Sequence, residues 1–263
     1  MVKKATQTKE KSAEVAPYLP EKKRLPKASD LLGNEIRAMI LEQGLLPGAA
    51  LPSESELIDS HQYSRGTVRE ALRLLEAEGY ISVQRGPKGG ITVRYPTVDL
   101  VSKSLATMLT IDLSPLSDLF DFRKLIEPAA AELAAKNATD EQVEQLLAIS
   151  DYSIPERGSI TFHNVLSEST GNEMFRVILA AVNRVVEWQT SLEGVPEREV
   201  MHAGDAHAAI AKAISLRQGS RASTLMLQHI QSYEKIMAER GRLSEATLPR
   251  ELWIAQLRRS VHS

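Results

Sequence analysis

The chain has 263 residues, 43% apolar and 25% charged, with no cysteine and a net charge of −2. That length favours two domains and the apolar share suffices for packed cores, while zero cysteines exclude a disulfide framework and thiol chemistry. The charge is uneven: residues 1–96 hold 15 Lys+Arg against 12 Asp+Glu, a net of +3, and the remainder 17 against 22, a net of −5. A mildly basic first third on an acidic remainder suits one domain that meets nucleic acid and one that does not.

Residues 1–28 are polar, with three prolines and scattered lysines, and composition predicts a disordered N-terminal extension. It is either a plain tail or a weak, non-specific attractor of DNA phosphate. No apolar signal-peptide segment opens the chain and no apolar run reaches membrane-spanning length, so a cytoplasmic protein with no membrane partner is expected.

Residues 29–96 read as a winged helix-turn-helix. Leu32, Ile36, Met39 and Ile40 mark a first helix from Ser29, ending at Gly44 before a Pro47-Gly48 turn. Ser53 and Glu56 have the capping-box spacing that starts a helix near Glu54. Ser64 is a good N-cap for a second helix, on which Val68, Ala71, Leu72 and Leu75 form one buried stripe and Arg65, Arg69 and Arg73 a basic row beside it. Gly66 and Thr67 fall in the first turn, where free backbone N–H groups can meet a phosphate. Gly79 stops this helix. Alternation at Ile81 and Val83, then at Ile91 and Val93, predicts two strands around the basic tip Arg85-Gly86-Pro87-Lys88-Gly89-Gly90, and Tyr95-Pro96 closes the domain. Arginine rows usually just solvate a helix face and Gly-Pro tips usually just turn. Their ordered combination points to double-stranded DNA.

Residues 97–241 read as helical almost throughout, an antiparallel α-helical bundle of six or seven helices that makes the protein mainly α. Leu105, Met108 and Leu109 give a linking helix. Ser114-Pro115 opens a long one that bends at Pro128 and runs to Ala135; Thr139 with Gln142 caps another. Further helices run from Ser159 to Ser169, Glu173 to Leu192, Glu197 to Arg217 with a stop at Gly219, and Ser220 to Arg240 with a stop at Gly241. Residues 242–263 are taken as a C-terminal tail without a role. Three histidines on three of these helices, His163, His207 and His229, share stripes with apolar neighbours and point inward, whereas His202 lies about 140° round the helix from His207. An inward histidine alone is more often a hydrogen-bonded core residue than a ligand. Three converging in a bundle core would suit a divalent ion such as Zn, Ni or Mn.

The first domain resembles the GntR superfamily of bacterial transcription regulators, through Leu51-Pro52-Ser53-Glu54, Ser64-Arg65-Gly66-Thr67-Val68-Arg69-Glu70-Ala71-Leu72 and Arg85-Gly86-x-x-Gly89. The resemblance implies operator contacts by Arg65, Thr67, Arg69 and Gly86. With their neighbours, the expected DNA-binding set is Ser53, Ser64, Arg65, Gly66, Thr67, Arg69, Arg73, Arg85, Gly86 and Lys88. Ser55 stands where several relatives carry a further contacting arginine.

The second domain resembles the FCD ligand-binding domain of FadR-type regulators over roughly residues 100–240, through Phe122-Arg123-x-x-Ile126-Glu127-Pro128, Phe162-His163 with Thr170-Gly171-Asn172, and His207-x-x-Ile210 before a helix bearing His229. The resemblance implies metal ligation by His163, His207 and His229, and a small carboxylate effector met by Arg123 and Asn172. The family's aspartate one turn before the first histidine is Ser159 here, so Glu156 or Asp151 substitutes, or water and effector complete a three-histidine site. The expected protein is a homodimeric, ligand-responsive regulator of a palindromic operator, a repressor released by a small carboxylate. Two rivals are a metal-dependent hydrolase with an accessory winged helix, against which no carboxylate is well placed in the sequence as general base, Glu168 and Asp205 being the residual options, and a DNA-binding dimer without effector.

Overall fold

The computed structural model describes residues 26–84, 86, 89–150, 159–193 and 197–259, in two compact units, Met1–Tyr95 and Pro96–Ser263. Most of the expected N-terminal extension, the wing-tip residues Arg85 and Lys88, and the substitute ligands Asp151 and Glu156 lie outside the described residues.

In the first unit, α1 (Ala28–Glu42) buries Leu32, Ile36 and Ile40, one turn apart on one stripe. The Ser53–Glu56 capping box forms as its spacing requires and starts α2 (Glu54–His61). Ser64 caps α3 (Arg65–Ala77), whose Val68, Ala71, Leu72 and Leu75 are all buried. Strands β2 (Ile81–Gln84) and β3 (Gly90–Val93) pair antiparallel with Ile81 opposite Val93 and Val83 opposite Ile91, which turns Ile81, Ile91 and Val93 into the same core as the helices. Burying each such aliphatic side chain is worth about 1.5–3 kcal/mol. The sheet has a third strand that the alternation did not reveal: β1 (Ala50–Leu51) pairs with the other edge of β3, giving the order β1-β3-β2. Two residues are too few for a period of 2 to be read.

In the second unit the described elements are α4 (Val98–Ile111), α5 (Leu116–Asn137), α6 (Asp140–Ile149), α7 (Ser159–Glu168), α8 (Glu173–Glu193), α9 (Glu197–Ser215), α10 (Gly219–Glu239) and α11 (Arg250–Arg259). The axis of the bundle is α5, about 33 Å long for its 22 residues. It continues through Pro128, and its buried stripe runs Leu116, Phe120, Arg123, Glu127, Ala130, Ala131, Ala134. The alanines let neighbours approach closely, and α5 packs chiefly against α10.

Two readings of the sequence are corrected. Gly219 does not end α9; Arg217, at φ 58°, does, and Gly219 is the first residue of α10. A Cβ there would lie 3.2 Å from Cγ of Glu132 and 3.5 Å from its carbonyl oxygen, so the glycine permits the close approach of α10 to α5. The supposed tail is an integral element. Leu116 and Ser117 donate backbone N–H groups to the carbonyls of Glu245 and Leu243, and Thr247 returns one to Ser114. This clasp delivers Leu248 and α11 into a second apolar cluster, in which Trp253 lies 4.8 Å from Trp188 beside Ala106 and Val185.

Candidate DNA-reading face and candidate metal centre

On α3, burial of the apolar stripe leaves Arg65, Gly66, Arg69 and Arg73 exposed and Thr67 half-buried. The first turn is organised by Ser64, whose Oγ accepts the Thr67 N–H at 3.1 Å and lies 2.9 Å from the Thr67 hydroxyl. Ser53 is likewise engaged with its own helix: its N–H and hydroxyl both donate to Glu56, at 2.8 and 2.7 Å. Arg69 donates Nε to Glu54 Oε1 at 2.9 Å, which ties the basic row to the start of α2 while the arginine side chain stays largely exposed. Arg73 lies near Glu70 at 3.6 Å. Gly86 is exposed at φ 112°, a conformation that glycine alone adopts without strain, whereas Gly90 is regular strand.

In the helical unit the structure brings together side chains from four helices. His163 of α7, His207 of α9 and His229 of α10 each offer a ring nitrogen, and those three atoms lie within 4.8 Å of one another. His207 Nε2 and His229 Nε2 are 3.1 Å apart. Phe162 stacks on His207 with ring centres 4.2 Å apart, and His163 and His207 are fully or almost fully buried. Burial, with the neighbouring histidines and Arg123 adding like charge, pushes His207 well below its ordinary range. His229 is pushed down to about 3 by burial, His163 and Arg123, with Glu127 opposing. Neutral imidazole is the form that ligates a metal.

The residue that spacing did not single out is Glu127. It is 1% exposed on α5, one turn beyond Arg123, whose Nε donates to its Oε1 at 2.5 Å. Its Oε2 lies 2.7 Å from His163 Nδ1, an ion-pair approach that falls outside hydrogen-bond geometry, and accepts a longer bond, 3.5 Å, from Arg123 Nη2. Burial alone would raise this carboxyl, but Arg123 and His163 together hold it well below the usual carboxylate range. A usable signal was present: Glu127 stands on the same stripe as Phe120 and Ala130, four residues after an arginine.

These residues fit a divalent ion. With metal–nitrogen bonds near 2.0–2.1 Å, two tetrahedral ligands sit about 3.3 Å apart, so the trio needs only small side-chain adjustments to close. A carboxylate behind one histidine is the usual support for such a ligand. Asn172, by contrast, is exposed and accepts the Met174 N–H at 2.9 Å as the cap of α8, with no contact to the cluster among the described residues. The helical position of Ser159 opens α7, but its side chain and that of His202 lie outside what is described.

Comparison with known proteins follows the same division. The family model for bacterial regulatory proteins of the gntR family matches residues 29–93, and that for the FCD domain matches residues 118–232. The chain is 30% identical over 222 residues to the HTH-type transcriptional repressor NanR of Cronobacter sakazakii, covering 78% of this chain and 84% of that one. It is 29% identical over the same length and shares to the NanR repressor of Enterobacter sp. strain 638. A solved GntR structure from Streptococcus agalactiae aligns with a TM-score of 0.59 at 29% identity, over 79% of this chain and 99% of that one. With the reading helix, the wing and the helical FCD domain in one chain, this protein belongs to the GntR family and is a ligand-responsive, DNA-binding transcription regulator rather than an enzyme.

Proposed function

We propose that the protein acts in the cytoplasm as a homodimeric repressor that binds a palindromic operator through α3 and the wing and is released by a small carboxylate metabolite. In this reading α3 enters the major groove, with Arg65 and Arg69 on base edges or phosphate, Thr67 and the cap residues Ser53 and Ser64 near phosphate, and Arg73 and the Arg85-Gly86-Lys88 tip along the flanking groove. Two chains related by a two-fold axis meet two half-sites one helical turn apart, which is why a palindrome is expected. The naming of the NanR relatives as transcriptional repressors supports the sign of regulation.

The observation that carries the effector half is the convergence of three imidazoles, two buried and one half-buried, beside the Arg123–Glu127 pair. His163, His207 and His229 would hold a divalent ion, Zn, Ni or Mn, which would supply a Lewis-acid contact for a carboxylate oxygen. Arg123 supplies fixed positive charge next to that place, and Asn172 is the remaining effector candidate. The family's aspartate being Ser159 leaves this ligand set neutral, so it suits the imidazole-binding metals better than hard cations. The test is a gel shift on operator fragments selected by the purified protein, with elemental analysis of the same preparation. Release of DNA by a panel of small carboxylates, lost in His207→Ala, is expected. Release by no acid, with metal present, would leave a DNA-binding dimer without effector.

A further inference from the structure

Among the charged side chains buried in the helical unit, Glu127 has two partners of different kinds: Arg123 reaches both of its oxygens, the second only at 3.5 Å, and His163 approaches Oε2 more closely. Its Oε1 takes the Arg123 Nε at 2.5 Å, and its Oε2 sits 2.7 Å from His163 Nδ1. An ionised carboxylate offers only lone pairs, so the imidazole nitrogen that faces it at that distance is the one that carries a proton, Nδ1. The nitrogen left to offer a lone pair to a metal is then Nε2.

We propose that Glu127 is a positioning residue that selects the Nδ1–H tautomer of His163 and so commits its Nε2 to the histidine cluster. The proposal rests on the metal reading above and deepens it. His207 and His229 already present their Nε2 atoms to each other at 3.1 Å, and the same choice at His163 gives three equivalent ligand atoms from three helices. Arg123 serves this arrangement by anchoring Oε1 from one turn earlier on α5, which aims Oε2 across to α7. The pair thus transmits the placement of α5 to a ligand on α7 without touching the metal.

The tautomer is read directly. In full-length protein labelled with 15N-histidine and stripped of metal, two-bond proton–nitrogen correlations distinguish the two forms. The expected result is His163 with its proton on Nδ1 in the wild type, and a shift of population to the Nε2–H form in Glu127→Gln, whose amide can donate as well as accept. Competition with a chromophoric chelator for Zn2+ is expected to show a roughly 10–100-fold weaker site in Glu127→Gln, the usual cost of losing such a supporting group. Wild-type His163 protonated on Nε2 would overturn the proposal, and so would a folded Glu127→Gln that holds Zn2+ within about twofold of wild type. If Glu127→Gln fails to fold, the wild-type spectrum decides alone. If wild-type protein takes up no Zn2+, the metal reading falls, while the tautomer still decides the role of Glu127.

Discussion

Acid should begin to destabilise the metal-free helical unit near pH 6.5, about two units above the usual carboxylate range. The perturbation is a drop from pH 7.5 to pH 5.0. In the folded protein His229 is held down to about 3, chiefly by burial, whereas in the unfolded chain it titrates near its ordinary 6.5. As pH falls through 6.5 the unfolded chain takes up a proton that the folded chain refuses, so stability is full above that value and declines toward 3. At pH 5 the deficit from His229 alone is about 2 kcal/mol, at 1.36 kcal/mol per unit. For a domain of this size that is roughly 4–8 °C in melting temperature. His207, depressed by the same burial, adds in the same direction. Glu127 does not enter this window, because its lowered carboxyl contributes stability above about 4.5 that is lost only below it. Both tryptophans, Trp188 and Trp253, belong to the helical unit, so fluorescence melts of the chelator-treated full chain follow it selectively. The reasoning is refuted if the melting temperature is the same at both pH values, or if His229→Gln keeps the full pH dependence of wild type.

Arg65→Ala and Arg69→Ala should each weaken operator binding by about 1–3 kcal/mol in a gel shift, provided the arginine pairs with a guanine. The salt dependence should be steep, with a slope near −0.9 per neutralised phosphate. Gly86→Ala should reduce DNA affinity more than Gly90→Ala, since Gly86 sits at φ 112° while Gly90 has ordinary strand geometry and open space at its Cβ. Trp253→Ala should cost about 3–5 kcal/mol in the fluorescence melt, because it empties the cluster that α11 closes against Trp188; a loss under 1 kcal/mol would make α11 an accessory. By elemental analysis His207→Ala should lose the metal, and Ser159→Asp should tighten its retention by adding an anionic ligand one turn before His163; a metal-free wild type would make the trio a core cluster.

What could be read from the sequence depended on whether the physics was local. Capping boxes at Ser53 and Thr139 and the stripe Val68, Ala71, Leu72, Leu75 are decided within one or two turns, and the structure realises them where their spacing puts them. β1 and α11 are stabilised from far away, by β3 in one case and by Ser114, Trp188 and Ala106 in the other, so nothing in their own few residues declares them. Gly219 was read by its usual habit of ending helices, and the deciding contact, Glu132, lies on another helix. The histidines were visible because each sits on an apolar stripe of its own helix. Glu127 obeys a rule that reaches beyond its own helix: a glutamate on the buried stripe of α5 must be compensated, and Arg123 at i−4 holds one oxygen closely and the other only at 3.5 Å. That weakly met oxygen calls for a positive or proton-bearing group from a facing helix, and among the inward histidines His163 lies 2.7 Å from it. The carboxylate at the cluster therefore stands on α5 behind His163, in a chain whose α7 carries Ser159 one turn before that histidine.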